Sequence, residues 1–138
     1  MGSAGRTARH RVLIADDGPL AQAALNLFAV DADFEVVGVA GDSEQAIELA
    51  ATDQPDAALI DVDMPGGGLR AVQEIRLAAP STAIVILSGD ESDGHVRQLL
   101  LAGATAYCRK GMAPEVLTDW VRRSIEARTV VPQEQLQL

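Results

Sequence analysis

Two aspartates, Asp16 and Asp17, follow the apolar run Val12-Leu13-Ile14-Ala15, and a third, Asp61, follows Ala57-Ala58-Leu59-Ile60. A third apolar run, Ala83-Ile84-Val85-Ile86-Leu87, ends in Ser88, and a fourth, Ala104 to Arg109, ends in Lys110. Carboxylates crowded together either share protons or bind a hard cation. Magnesium takes oxygen ligands and rests on one or two carboxylates plus phosphate oxygens. A carboxylate oxygen of Asp61 is then free to attack phosphorus and form an aspartyl phosphate. Phosphoryl transfer asks the protein for alignment and charge neutralisation, which the Lys110 ammonium and Ser88 hydroxyl can supply. Singly, each residue has a plainer explanation: Asp17 caps a helix, Asp61 and Ser88 form turns, and Lys110 lies on the surface. Their recurrence at one end of successive strands is what points to a site.

Such convergence requires a parallel sheet, whose sites lie beyond the carboxyl ends of its strands. Strand-like and helix-like segments alternate five times after a polar leader, the pattern of a parallel sheet with crossover helices. The predicted strands span 11–16, 34–40, 56–61, a run ending at Ser88, and one ending at Lys110. Pro19 suits the first turn of a helix striped with Leu20, Ala23, Ala24, Leu27 and Phe28. Asp42-Ser43 opens a second helix, which Gln54-Pro55 closes. A third, predicted over 69–78, follows the turn Met64-Pro65-Gly66-Gly67-Gly68. A fourth opens within 90–93 and stops at Gly103. The last begins at Ala113-Pro114-Glu115, apolar at Val116, Leu117, Trp120, Val121 and Ile125.

At 138 residues the chain suits one domain, long enough to bury roughly 68–70% of its unfolded surface. Nearly half the residues are apolar but few are aromatic, which suits helices layered on a parallel sheet and argues against disorder. A net charge of −9 repels phosphate backbones, so direct nucleic-acid binding is not expected. Arg6, Arg9, His10 and Arg11 read as a solvated leader. The single cysteine, Cys108, excludes an internal disulfide and reads as a buried, inert thiol. No membrane segment or signal-peptide core is seen, and a cytoplasmic location is expected. The expected division is a disordered leader over 1–10, one domain over 11–128, and a tail or linker start over 129–138.

Asp16-Asp17, Asp61 with Met64-Pro65, Ser88, and Gly103-Ala104 with Tyr107 and Lys110 resemble the receiver domain of bacterial two-component response regulators. The resemblance covers roughly residues 11–128 and implies a CheY-like, flavodoxin-like α/β fold: five parallel strands in the order 2-1-3-4-5, flanked by five helices. It implies that Asp61 accepts a phosphoryl group from a sensor histidine kinase, a phosphotransfer protein or a small donor. Magnesium, or manganese, would be held by Asp17 and Asp61, by the backbone carbonyl of Asp63, and by Asp16 through water. Lys110 and Ser88 would act on the phosphoryl group, and Ser88 and Tyr107 would form the conformational switch. On this reading the domain is no conventional enzyme, though self-catalysed phosphotransfer and autodephosphorylation are expected.

Asp17-Gly18-Pro19-Leu20, Glu35-Val36-Val37-Gly38 and Ala113-Pro114-Glu115-Val116-Leu117 further resemble receivers of NarL/LuxR-type regulators, whose DNA-binding output domain this chain lacks. A free-standing receiver and a piece of a longer regulator both remain open, as does a homodimer formed on phosphorylation. Three departures from the family stand out. Gly66-Gly67-Gly68 is one residue short of the usual turn, and three glycines are costly to order. Gly111 follows Lys110 where proline is common and the peptide is often cis, a form costing ~2.5–4 kcal/mol without proline. Asp63 and Asp90 lie where the family tunes phosphoryl lifetime. The competing function is a magnesium phosphatase of the haloacid-dehalogenase kind, suggested by Asp61-Val62-Asp63, although there the motif follows the first strand.

Overall fold

The computed structural model describes residues 9–89 and 93–130. In chain order the elements are β1 (His10–Ala15), α1 (Pro19–Val30), β2 (Phe34–Ala40), α2 (Ser43–Asp53) and β3 (Ala57–Asp61). They continue with α3 (Gly68–Ala78), β4 (Ala83–Ser88), α4 (Asp93–Ala102), β5 (Ala106–Arg109) and α5 (Pro114–Val130). The five strands form one parallel sheet in the order β2-β1-β3-β4-β5, as the sequence implies.

Side chains alternate across a strand with period two, and this divides the core into two layers. Leu13 and Ala15, Ala58 and Ile60, and Ile84 and Ile86 pack against Ala46, Ala50, Val72, Ile75 and Leu99 from α2, α3 and α4. Val12 and Ile14, Ala57 and Leu59, Val85 and Leu87, and Cys108 pack on the other side against Ala24 and Phe28 of α1 and Leu117, Val121 and Ile125 of α5. β3 and β4 are buried along their whole length, which is why they read as unbroken apolar runs. Phe28 and Phe34 meet edge to face at 4.9 Å, closing the second layer near the start of β2.

Helix ends follow local chemistry. The Asp42 carboxylate caps α2 by accepting from the Gln45 amide at 2.8 Å. Gln54, in the left-handed conformation, terminates α2 ahead of Pro55. Gly18 is the N-cap of α1, with Pro19 as its first helical residue.

Some boundaries differ from expectation. β1 takes in His10, assigned above to the leader, because its amide bonds the Asp33 carbonyl at 2.8 Å. β5 begins at Ala106, since Thr105 instead closes the loop: its hydroxyl accepts from the Ile84 amide at 3.1 Å. α5 runs to Val130, into the expected tail. Of the predicted α5 face, Leu117, Val121 and Ile125 are buried, whereas Val116 and Trp120 are more than two-fifths exposed at its edge. Asp90 lies outside the described residues.

Far from the strand ends that carry charge, Arg76 ties two connections together. Its guanidinium donates to the carbonyls of Pro80, Thr82 and Gly103 at 2.8, 2.9 and 2.7 Å. Arg128 of α5 also donates to Pro80. Burial, and then the charge of Arg128, lower the Arg76 pKa to about 10, so it stays cationic at neutral pH. Gly103, at φ +124°, leaves room for this side chain; a Cβ there would approach Nε to 2.9 Å. Replacing Arg76 with Met strands these carbonyls and is expected to cost about 2–4 kcal/mol. Urea denaturation checks this: the midpoint falls while the slope is unchanged.

Candidate functional site

The alternation that sorts the core also aims the charged residues. Asp16, Asp61 and Lys110 each come two positions after a residue of the α1/α5 layer: Ile14, Leu59 and Cys108. Ser88 instead follows Ile86 in phase with the α2/α3/α4 layer, against which Tyr107 packs. Sheet-like bonding persists past the strand ends, with the Asp16 amide on the Ala40 carbonyl at 2.9 Å and the Lys110 amide on the Ser88 carbonyl at 3.1 Å. These backbone bonds hold the site residues in register.

Carboxylate oxygens of Asp16, Asp17 and Asp61 lie within 4.8 Å of one another. Asp16 and Asp61 are buried, at 6% and 3% exposure, while Asp17 is open to solvent. The Lys110 ammonium sits 2.9 Å from Asp61 Oδ1, and the Asp63 amide donates to that same oxygen at 3.0 Å. The Asp63 carboxylate lies apart from the cluster, 3.7 Å from Lys110. Ser88 is buried at the end of β4. Tyr107, half-buried, pairs with Ile86 across the sheet, which makes Ser88 its diagonal neighbour on the same face. A cavity of about 420 Å³ lined by Ser88, Gly89, Lys110 and Gly111 among others opens beside them. Every peptide bond among the described residues is trans, including Lys110–Gly111.

One oxygen of Asp16, Oδ1, accepts from the Gly18 amide at 3.1 Å. The other, Oδ2, is buried without a hydrogen-bond partner. Burial raises the Asp16 pKa, and hydrogen bonding and repulsion from Asp61 raise it further; the Gly18 amide and Lys110 oppose. As carboxylates the two aspartates offer each other no proton, so the Asp16–Asp61 bond exists only with the neutral acid. Burial disfavours the Lys110 ammonium, but its hydrogen bond to Asp61 and the charges of Asp61, Asp63 and Asp16 outweigh that and raise its pKa. Three carboxylates, Asp61, Asp63 and Asp16, therefore act on one ammonium, with Asp17 beside Asp16 and Asp61. A hard dication fits this all-oxygen donor set, and the orphaned Asp16 oxygen supplies a ligand atom that the protein leaves unused.

Of the site residues named from sequence, Asp16, Asp17, Asp61, Asp63, Ser88 and Lys110 fall at this edge of the sheet, while Tyr107 lies within β5, opposite Ile86. Sequence reasoning took Ser43 only as part of a helix start. It is fully buried against the turn that carries Asp63, and a serine at a first helical position gives no signal of that.

An open doubly wound sheet with an acidic pocket closed by a lysine at its carboxyl edge defines a class of α/β phosphate-handling and signalling proteins. Within that class the chain belongs to the response regulator receiver domain family of two-component systems, whose model matches residues 12–122. It is 36% identical over 122 residues to the transcriptional regulatory protein YxjL of Bacillus subtilis, covering 87% of this chain and 56% of the relative. It is 34% identical to the nitrate/nitrite response regulator NarL of Escherichia coli K12, with the same coverage of 87% and 56%. The chain thus spans little more than half the length of these relatives. Among solved structures, the signal receiver domain of NarL from Mycobacterium tuberculosis superposes with a TM-score of 0.78 at 27% identity, covering 89% of this chain and 98% of that one. A LuxR-family response regulator from Aurantimonas sp. gives 0.81 at 25% identity, covering 88% of each. Membership of this family, with the acidic motif after the third strand, disfavours the phosphatase alternative. No helix among the described residues is long and apolar enough to cross a membrane.

The raised pKa gives a signed expectation. A neutral Asp16 is favoured by the fold, so its stabilising contribution is present below 3.8, the ordinary carboxyl value, and is lost as pH rises through the raised one. Asp16→Asn is therefore expected to raise the melting temperature of cation-free protein at pH 7 by a few degrees, about 1 kcal/mol. The gain vanishes below pH 3.8, and the stabilisation by added magnesium shrinks. Calorimetry with and without chelator measures both.

Proposed function

We propose that this chain is the phosphorylated switch of a two-component pathway, with Asp61 as the acceptor. The arrangement carrying this reading is the Asp61 carboxylate held through Oδ1 by Lys110 and the Asp63 amide, beside two further carboxylates. Oδ2, which neither donor takes, forms the new oxygen–phosphorus bond. The donor's phosphorus–nitrogen bond breaks, and its electron pair returns to the imidazole of a histidine kinase or phosphotransfer protein. Acetyl phosphate serves equally, losing its phosphorus–oxygen bond.

Asp17, Asp61 and the Asp63 carbonyl would hold magnesium or manganese directly, and Asp16 through water. The bound ion supplies neutralisation of phosphoryl charge. Lys110 pairs with one phosphoryl oxygen and the Ser88 hydroxyl donates to another. Hydrolysis of the aspartyl phosphate by water returns the resting state. Asp63 and Lys110 border the path of that water.

The phosphoryl group adds negative charge where carboxylates are already crowded, and that is the drive for switching. Drawing Ser88 toward it frees space along the face it shares with Tyr107, whose ring then turns inward. The altered surface over α4, β5 and α5 is the output. We further propose that the domain works in the cytoplasm within a longer transcriptional regulator and dimerises on phosphorylation. Its relatives' names, transcriptional regulatory protein and LuxR family, support the first of these.

Incubation with acetyl phosphate and magnesium is expected to add one phosphoryl group to intact protein, seen by mass spectrometry, and none to Asp61→Asn. Catalytic turnover of phosphate esters without a stable adduct would overturn the reading. Lys110→Ala keeps the acceptor but removes the ammonium, and its labelling rate is expected to fall about 10²-fold. Chelator should abolish labelling altogether.

A further inference from the structure

The short triglycine turn after β3 is not left to find its own conformation. Ser43, the first residue of α2 and fully buried, reaches it from across the molecule's edge. Its hydroxyl proton is shared between the carbonyls of Gly67 at 2.9 Å and Pro65 at 3.1 Å, and its amide donates to Pro65 at 2.9 Å. Each glycine serves this contact differently. Gly66 has φ +92°, and a Cβ on it would overlap the Ser43 hydroxyl. Gly67, at φ +90°, turns the chain. Gly68 lets the start of α3 pass over Val62, whose Cα would lie 2.6 Å from an added Cβ.

The contact leads back to Asp61. The Gly67 amide bonds the Met64 carbonyl at 3.0 Å, and the Gly68 amide bonds Val62 at 3.2 Å. The segment between these anchors contains Asp63, whose amide in turn holds Asp61 Oδ1. We infer that Ser43 is a positioning residue: by clamping the Pro65–Gly67 turn it sets the height of the Asp63 backbone and, through that amide, the orientation of the Asp61 carboxylate. The inference deepens the acceptor role proposed for Asp61 and rests on it for its kinetic consequence. The nearby Glu44–Arg70 ion pair, at 2.6 Å, also links α2 to α3 but touches no part of the turn.

Ser43→Ala tests this. In the metal-free protein the Asp63 amide proton, deshielded by its bond to the carboxylate, is expected to move upfield in the ¹⁵N-correlated spectrum. Labelling of Asp61 by acetyl phosphate, per folded molecule and well below the variant's melting temperature, should slow about five- to tenfold. Gly66→Ala, which forces the turn off an intact Ser43, should do the same, and the two changes combined should be less than additive. Ser43→Thr keeps the hydroxyl and should restore both readouts, and Glu44→Gln should alter neither. An unmoved Asp63 amide in Ser43→Ala, or wild-type labelling by folded Ser43→Ala, overturns the inference. Failure of the wild-type chain itself to be labelled sinks the acceptor reading instead, and the amide shift then decides the Ser43 clamp alone.

Discussion

The site is governed by one imbalance, four carboxylates brought to the end of a sheet where a single ammonium reaches three of them. Two unit charges 4 Å apart repel by about 4 kcal/mol at the effective dielectric of a protein surface. The Lys110–Asp61 contact at 2.9 Å relieves part of this, while the Asp16 pKa is raised first by burial and then by its hydrogen bond to Asp61, with the Asp61 charge adding less. Nothing local favours such a cluster. It exists because the parallel strands hold their ends in register, with backbone bonds continuing past Ala15 and Arg109 to the site residues. The rigid sheet holds together groups that would otherwise move away from one another.

Alternation across the sheet divides the work. Asp16, Asp61 and Lys110 are in phase with the α1/α5 layer, while Ser88 and Tyr107 belong to the opposite one. On the proposed reading, chemistry at Asp61 and a response at Tyr107 lie on different faces of the same few strands. Ser88, at the very end of β4, is where a charge on one face can be felt on the other. In the proposed switch this explains why a small hydroxyl suits the position: a larger side chain in phase with the α2/α3/α4 layer would be committed to packing.

The legible parts of this molecule are those where burial is uniform. β3 and β4 are buried throughout, so their apolar runs and their polar terminal residues stand out, and with them Asp61 and Ser88. Asp16 and Asp17 follow by the same rule after the buried residues 12–15 of β1, whereas Lys110 comes after a strand that is only half buried. What stayed hidden depends on partners distant in sequence. Ala104 and Thr105 look like strand but form a loop, because the Thr105 hydroxyl takes the amide of Ile84. Trp120 looks like core but lies at the margin of the α5 stripe that Leu117, Val121 and Ile125 bury. Ser43 looks like an ordinary helix start, since its importance lies in carbonyls more than twenty residues away.

A cluster that destabilises the carboxyl edge requires stability from elsewhere, and the opposite edge provides it. There Arg76 satisfies three carbonyls from two loops, Arg128 joins it at Pro80, and the Thr82 hydroxyl bonds the Pro55 carbonyl at 2.6 Å. Arg122 lies 5.2 Å from the Phe34 ring and also pairs with Asp31 and Asp33. Cations at this edge meet carbonyls, carboxylates and a ring, and Arg76 and Arg128, which repel each other, share the Pro80 carbonyl as a common acceptor. At the other edge anions meet anions. The fold thus separates its well-satisfied connections from its frustrated ones along the strand axis, and the frustrated end is where binding a cation or a phosphoryl group can change the energy most.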